Sequence, residues 1–211
     1  MKALKKFLFL AIALTGIHTA SAQEKPFELE KGFTSLFDGK TYDGWKVAEK
    51  PESFTIEDGS LVAKGTRAHC FYTGKLQEAK FKNFELRLDV MTKENSNGGV
   101  FISTQYQEQG WPSNGYEVQV NNTHSDWRKT GSLYSVVDNK EPFEDNKWMA
   151  YVIKVDGGKI SISVNGKKLL EDYVPEEGKS KLLAEGGTIA LQAHDPDSVI
   201  YYKNIRIKPL P

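Results

Sequence analysis

Residues 148–171 read WMAYVIKVDGGKISISVNGKKLLE, and their pattern is the clearest indication of the fold class. Successive side chains alternate between two faces along 148–155 and again along 160–164, which is the period of a β-strand with one buried face. Asp156-Gly157-Gly158 and Asn165-Gly166 are typical of tight hairpin turns. The stretch therefore predicts consecutive antiparallel strands, the last of them beginning at Lys167.

The same pattern continues outside this stretch. Phe84–Met91 places apolar side chains on one face and charged side chains on the other, and Gly187–His194 and Val199–Lys208 form two further predicted strands. Only Pro175–Leu183 could form a turn or two of helix. Short strands separated by turn residues are typical of a β-sandwich, so we predict an all-β fold with two antiparallel sheets.

The N-terminal residues have the pattern of an export signal. Met1–Lys6 carries three lysines, Phe7–Ile17 is almost entirely apolar, and Ala20-Ser21-Ala22 fits a cleavage site. An uncleaved membrane anchor is the alternative, but the apolar run is shorter than the roughly 20 residues that a bilayer requires. We therefore predict a signal peptide over 1–22, a single domain over 23–211, and secretion, with the periplasm as the destination.

The charge and cysteine content exclude several classes of partner. The chain has 28 basic and 28 acidic residues without a basic stripe, which argues against nucleic acid and anionic membrane surfaces as partners. The composition favours a neutral substrate and leaves the oligomeric state open. Cys70 is the sole cysteine, so an intrachain disulfide is excluded, and its strand-like surroundings predict a buried structural thiol.

Two predicted strands carry unusual polar faces. Alternation in the stretch 116–120 sends Glu117 and Gln119 to one face, about 7 Å apart at ordinary strand rise. Gln192 and His194 share a face of a second strand in the same way. Amides suit sugar hydroxyls, and a carboxylate near an imidazole supplies proton transfer near neutral pH. The alternative is that these side chains face water and that His194 only caps a strand end.

Four tryptophans divide into two predicted groups. Trp111 and Trp127 lie in predicted loops on either side of the strand 116–120, where they could rim a cleft and stack on the apolar faces of sugars. Packing of each ring under its own loop is the alternative. Trp45 and Trp148 lie in strand-like or turn contexts that predict core positions.

The chain resembles the 3-keto-disaccharide hydrolase domain family, a concanavalin A-like, jelly-roll sandwich common in secreted Bacteroidetes proteins. The resemblance covers nearly all of the predicted mature chain and rests on segments in the family's order. These are 32–40 with 43–45, 97–102, 115–120, 130–134, 146–148, 164–166, 189–194 and 203–207. Any one segment is weak evidence, whereas their shared order and spacing are fairly specific.

The resemblance implies cleavage of glycosides whose sugar carries a ketone at carbon 3. The ketone acidifies the C2–H bond, so that a base can remove this proton and expel the group at carbon 1, after which water adds to the double bond. It implies Glu117 and His194 as the acid–base pair, without deciding which is the base. Gln119, Gln192, Trp111, Trp127 and Tyr134 would then bind the substrate.

Two positions depart from the family pattern. Ser103 stands where members often have an arginine, and Asn122 stands where they often have an aspartate; both remain predicted substrate-binding positions. The departures leave open a lectin-like module that binds sugar without cleaving it, and a structural domain whose polar face meets solvent. No cofactor is required by any motif. A divalent metal such as calcium occurs in related sandwiches, and Glu117 with His194 could hold one.

Overall fold

The computed structural model describes residues 27–211, which form two antiparallel sheets and two short 3₁₀ helices, Pro51–Ser53 and Leu76–Ala79. The predicted signal peptide, 1–22, lies outside the described residues. In chain order the strands are β1 (Thr34–Ser35), β2 (Trp45–Ala48), β3 (Phe54–Glu57), β4 (Ser60–Lys64), β5 (Ala68–Tyr72), β6 (Phe84–Thr92), β7 (Asn97–Thr104), β8 (Tyr116–Asn121), β9 (Met149–Asp156), β10 (Lys159–Val164), β11 (Lys167–Tyr173), β12 (Thr188–Ala193) and β13 (Val199–Pro209).

The two sheets pack face to face as the predicted sandwich. One sheet has eight strands in the order β11-β10-β9-β6-β13-β4-β3, with β1 paired to the far end of β13. The other has five strands in the order β2-β5-β12-β7-β8. The all-β, two-sheet prediction is therefore confirmed, and the predicted strand boundaries agree with the structure to within two residues over β6, β9, β10, β11, β12 and β13.

Three hairpins of the eight-stranded sheet turn through two residues each. Asp58-Gly59, Gly157-Gly158 and Asn165-Gly166 all have positive φ at both positions. This is the type I′ geometry whose twist matches that of paired strands, and it is open mainly to Gly, Asn and Asp. The Asn165 side chain adds a bond of its own, since its Oδ1 accepts from the backbone N–H of Ala150 at 2.8 Å.

The main core lies between the sheets and follows the sequence alternation. The odd-numbered residues of β9 are buried, as are the even-numbered apolar residues of β6. Trp45 is buried as predicted, and its Nε1 donates to the carbonyl of Leu36 at 2.6 Å. Trp148 is not in the core: it precedes β9 at an even-numbered position, is half-buried, and lies under the ammonium of Lys203, 3.9 Å from the ring centroid.

Cys70 is fully buried between the sheets and has a free thiol, as predicted. Burial raises the pKa of this thiol well above its usual range, because the thiolate has no solvent or cation to stabilise it. The predicted turn of helix at 175–183 does not form, and the segment is a loop. None of the helices within 27–211 is long and apolar enough to cross a membrane.

The five-stranded sheet is buried on both of its faces. Every residue of β5, β7 and β12 is buried, including those that point away from the eight-stranded sheet. A second apolar cluster covers part of this outer face; it consists of Ala48, Phe71, Phe101 and Ala190 and is packed by Tyr106. The outer face is therefore a covered surface, and the polar side chains on it are not an ordinary solvated face.

Candidate active site

A cavity of about 310 Å³ opens on the outer face of the five-stranded sheet. The four polar residues predicted to share a face, Glu117, Gln119, Gln192 and His194, all line it. Strand pairing brings them together: Glu117 lies opposite Phe101 and Gln119 opposite Gly99 on β7, and β7 also pairs with β12, the strand of Gln192. Asp126 and Lys181 are further charged residues of the lining.

Glu117 is the half-buried carboxyl group of the cavity. Desolvation by burial, with a smaller contribution from the charge of Asp126, raises its pKa to about 8, although a hydrogen bond from Gln192 acts in the opposite direction. The side chain fits because β7 has glycine beside it: a Cβ on Gly99 would lie 2.7 Å from Cγ and 2.9 Å from Cδ of Glu117. At neutral pH this group is a neutral acid that can donate a proton.

His194 is oriented by its neighbour Asp195, which the sequence reasoning missed. Nδ1 of His194 lies 2.9 Å from Oδ2 of Asp195. The same oxygen accepts from the hydroxyl of Ser198 at 2.7 Å, while Oδ1 accepts from the backbone N–H groups of Asp197 and Ser198, each at 3.1 Å. Burial alone would raise the pKa of Asp195, but the bonds from Ser198 and His194 lower it below its usual range.

This arrangement assigns a role to each ring nitrogen of His194. An ionised Asp195 accepts a hydrogen bond from Nδ1–H, and this leaves Nε2 of a neutral imidazole free to accept a proton. Positioned carboxylate–histidine pairs of this kind act as general bases. Alternation along β12 identified His194, but Asp195 follows the strand and is brought into place by the turn 195–198, which has no periodic signal.

Two amide oxygens of residues that line the cavity are buried and lack a hydrogen-bond partner among the described residues. Gln119 and Gln192 are each 1% exposed, and the Oε1 atom of each has no hydrogen-bond partner within the described part of the chain. The other end of the Gln119 amide is engaged, since Nε2 donates to Oδ1 of Asn97 at 2.5 Å. A buried acceptor without a donor costs about 1–3 kcal/mol, so these oxygens call for hydroxyl or N–H groups from a ligand or water.

Trp111 covers the cavity from the loop 105–115, where it is 46% exposed. Its ring centroid lies 5.5 Å from that of His194 and 5.6 Å from that of His69. Arg67 stands 5.2 Å from the ring, where an ion pair with Glu49 holds it. Trp111 is therefore a fixed aromatic surface beside His194.

His69 is a second histidine that the sequence reasoning did not single out. It is 1% exposed, its Nε2 has no partner within residues 27–211, and burial lowers its pKa to about 4. The imidazole is therefore neutral and supports Trp111 by an edge-to-face contact. The signal was present in the sequence, because His69 alternates with Phe71 on the outer face of β5, opposite Gln192 on β12.

The predicted aromatic residues beyond β8 have different positions. Tyr134 lines the cavity and is 37% exposed, and its backbone N–H donates to the carbonyl of Glu117 at 2.9 Å. Trp127 is 50% exposed and lies outside the lining. The guanidinium of Arg128 lies between the two rings, 4.5 Å from the centroid of Trp127 and 4.7 Å from that of Tyr134.

Ser103 and Asn122 are not brought to the cavity. Ser103 is buried, and its Oγ accepts from the backbone N–H of Leu183 at 2.8 Å, which ties down the loop after β11. Asn122 is buried beside Thr92, to whose Oγ1 it donates at 2.9 Å, and its own Oδ1 accepts from Thr130 at 2.8 Å. Both side chains are engaged in holding loops, and neither is in the lining.

Glu117 and His194 are the predicted candidates for a metal site. Within residues 27–211 no three His, Cys, Asp or Glu side chains are grouped closely enough to hold a metal ion.

Comparison with known proteins indicates a carbohydrate-active, glycosyl hydrolase-like protein. The family model described as "3-keto-alpha-glucoside-1,2-lyase-like domain" matches residues 32–208. A 3-keto-disaccharide hydrolase of Bacteroides thetaiotaomicron is 25% identical over an alignment covering 85% of this chain and 79% of the relative.

Two solved structures from Parabacteroides distasonis, each named as a candidate glycosyl hydrolase, share the fold. The first has a TM-score of 0.70 at 23% identity and covers 85% of this chain and 94% of its own. The second has a TM-score of 0.63 at 26% identity and covers 84% of this chain and 99% of its own.

Proposed function

Because the chain belongs to the 3-keto-alpha-glucoside-1,2-lyase-like domain family, we propose that it cleaves the glycosidic bond of 3-keto-glycosides by acid–base chemistry. The observation that carries the proposal is one cavity lined by a neutral carboxylic acid, a carboxylate-oriented histidine and two unpartnered amide oxygens. The relative from Bacteroides thetaiotaomicron, named for a 3-keto-disaccharide, supports the choice of substrate.

The first step is an elimination. Nε2 of His194 removes the proton from carbon 2, the electron pair of that C–H bond forms the C1=C2 double bond, and the C1–O bond breaks. Glu117 gives its proton to the departing oxygen, so the leaving group departs as an alcohol. Negative charge develops on the ketone oxygen during this step, and Lys181, a basic residue of the lining, can offset it.

The second step restores both catalytic groups. Water adds its hydroxyl group to carbon 1 and a proton returns to carbon 2, so that the two steps together amount to hydrolysis. Glu117 regains a proton from this water as it adds. The proton on His194 exchanges with solvent between the two steps, so His194 donates a solvent-derived proton to carbon 2. An ordinary retaining glycosidase instead requires two carboxyl groups on either side of the bond. The residue two positions after Glu117 on β8 is the amide Gln119, which fits the elimination route.

The two buried amide oxygens determine what the floor of the cavity accepts. Gln119 and Gln192 present acceptors, and Glu117 is neutral near pH 7. A ligand with hydroxyl donors satisfies this floor, whereas a carboxylate or phosphate placed against the same oxygens is repelled. This supports an uncharged sugar ring as the group that binds there. The predicted signal peptide adds the proposal that the reaction takes place outside the cytoplasm.

The proposal is tested by incubating the protein with a 3-keto-disaccharide in D₂O and following the released sugars by mass spectrometry. Elimination followed by hydration places one deuterium on carbon 2, whereas direct hydrolysis leaves the original hydrogen there. We expect deuterated product from the wild type and a loss of at least about 100-fold in turnover for Glu117→Gln and for His194→Ala. Glu57→Gln, on the exposed end of β3, is the matched control and should retain full turnover.

Other outcomes contradict the proposal in distinguishable ways. Turnover without deuterium would show direct hydrolysis. Sugar binding without turnover would identify a lectin-like module, and the absence of both, with folded variants, would leave a structural domain.

A further inference from the structure

An exposed aromatic surface continues outward from the cavity beyond β8. It consists of Trp127, Arg128 and Tyr134, which we call the aromatic shelf. The guanidinium is stacked between the two rings, and Asp138 holds it in place through an ion pair of 3.1 Å. A ring-sized apolar surface, stiffened by a paired guanidinium and open to solvent, is the type of surface on which a flat or puckered ring stacks.

The strand order shows where the shelf lies relative to the reacting groups. The strands follow the order β5, β12, β7, β8 across the sheet. His69, which contacts Trp111, is on β5; His194 directly follows β12; and Glu117 is on β8. Tyr134 comes next, since its segment pairs with the outer edge of β8. The base is therefore on the Trp111 side of the cavity, and the acid is on the side of the shelf.

This order gives the bound substrate a direction. The proton that His194 removes belongs to carbon 2 of the keto sugar, and the oxygen that Glu117 protonates belongs to the leaving group. From this arrangement we infer that the keto sugar stacks on Trp111 and that the leaving group extends past Glu117 onto the aromatic shelf. The inference rests on the proposed function and adds to it a second subsite, which takes an uncharged ring such as a second sugar.

Loss of the aromatic shelf and loss of Trp111 should affect the KM values of different substrates. Trp111 lies against the base, so it contacts the keto sugar of every substrate. The shelf is reached only by a leaving group large enough to pass Glu117. A methyl 3-keto-glucoside ends before the shelf, whereas a 3-keto-disaccharide covers it, and comparison of these two substrates isolates the shelf.

The experiment measures kcat and KM for both substrates with the wild type, Trp127→Ala and Trp111→Ala. We expect Trp127→Ala to raise the ratio of KM for the disaccharide to KM for the methyl glycoside about fivefold. Trp111→Ala should raise both KM values and leave that ratio unchanged. Tyr42→Ala is the matched control, because Tyr42 is 38% exposed and is absent from the cavity lining; it should change neither KM.

The inference and the proposed function fail in different ways. An unchanged KM ratio in Trp127→Ala, with normal turnover of both substrates, overturns the shelf and leaves the elimination intact. If the wild type cleaves neither substrate, the elimination is overturned, and the shelf is tested by tryptophan fluorescence titration with the unoxidised disaccharide and methyl glucoside. A preference for the disaccharide that Trp127→Ala abolishes then supports the shelf, whereas equal or absent binding overturns it.

Discussion

At the scale of single residues, the raised pKa of Glu117 has two measurable consequences. If the neutral acid is the active form, kcat/KM falls as the pH rises through about 8, since the proton donor is lost. Glu117→Gln should lower turnover at least about 100-fold, and the residual activity should lack this upper limb of the pH profile. A wild-type profile that stays level to pH 10 would contradict the role of Glu117 as the acid.

The raised pKa of Glu117 also makes the free energy of unfolding depend on pH. The direction of this dependence follows from the number of protons that each state binds. The folded state holds the Glu117 proton up to about pH 8, whereas the unfolded chain releases it near pH 4.5, so stability falls as pH rises between these values. Glu117→Gln cannot ionise and should therefore gain about 4 kcal/mol relative to the wild type between pH 5 and pH 9. Urea unfolding at the two pH values measures this difference; a constant difference would exclude a buried titrating Glu117.

Asp195 provides a test of the base. Asp195→Asn removes the carboxylate that orients His194 and should lower kcat/KM about 100-fold while the fold persists. The control is Asp197→Asn, because Asp197 is exposed and contributes only its backbone N–H to the turn. If both variants lose activity equally, the turn and not the His194 contact is responsible.

Sequence alternation located part of this site and could not locate the rest. Glu117, Gln119, Gln192 and His194 were predictable because regular strands fix which face a side chain takes. Asp195 follows its strand in a turn, so its contact with His194 depends on tertiary structure. Ser103 and Asn122 show the opposite limit: their chain positions adjoin the site, but left-handed backbone at Ser103 and a buried bond network at Asn122 direct the side chains elsewhere.

At the scale of one element, β7 contains two adjacent glycines that face opposite ways. A Cβ on Gly99 would meet the Glu117 side chain, whereas a Cβ on Gly98 would meet Cδ1 of Ile200 at 2.6 Å on the core side. Gly99→Ala should therefore lower kcat/KM by at least about tenfold by displacing the acid, with a small loss of stability. Gly98→Ala should lower stability by about 1–3 kcal/mol with activity largely retained.

Thermal unfolding and kinetics on the same two proteins separate these effects. Loss of activity in Gly98→Ala alone would contradict the assignment of faces. Paired glycines are a common turn signal, but Gly98 and Gly99 lie within β7, where the Glu117 side chain occupies the space that a Cβ at Gly99 would fill.

The strands themselves were the most predictable level of the structure. Alternation predicted β6, β9 and β10 because their apolar residues face one core and their polar residues face water. It was less informative for β5, β7 and β12, which are buried on both faces. The covering loop 105–115 and its aromatic contacts with the sheet arise from residues distant in sequence, for which a single sequence has no periodic signal.

At the scale of the whole molecule, Glu30 joins the N-terminal segment to the eight-stranded sheet. Its carboxylate accepts from Nε and Nη2 of Arg206 at 2.6 and 2.7 Å and from Arg87 at 3.3 Å. The bond from Arg206 lowers the pKa of Glu30 to about 2 even though burial opposes this. The stability that it contributes is thus complete above pH 4.5 and is lost as pH falls toward 2.

Glu30→Gln should therefore cost about 1 kcal/mol at pH 7, since Glu30 is about one-third exposed and the ion pair is screened by solvent. The difference from the wild type should shrink toward zero at pH 2. Urea titrations at pH 7, 4 and 2 check this trend, with Glu57→Gln as the control on a neighbouring part of the sheet. A difference that is independent of pH would show that packing rather than charge is lost.

The position of β13 determines when the chain can fold. This strand is the latest in the described sequence, yet it fills the middle of the larger sheet, between β6 and β4, and β12 likewise fills the middle of the smaller one. In a nascent chain that has emerged only as far as residue 186, each sheet would be divided into two parts with unpaired inner edges. Folding is thus expected only after β13 has emerged, as a slow step that joins distant parts of the chain. A polypeptide whose folding is delayed in this way can still pass through a translocation pore in an extended form.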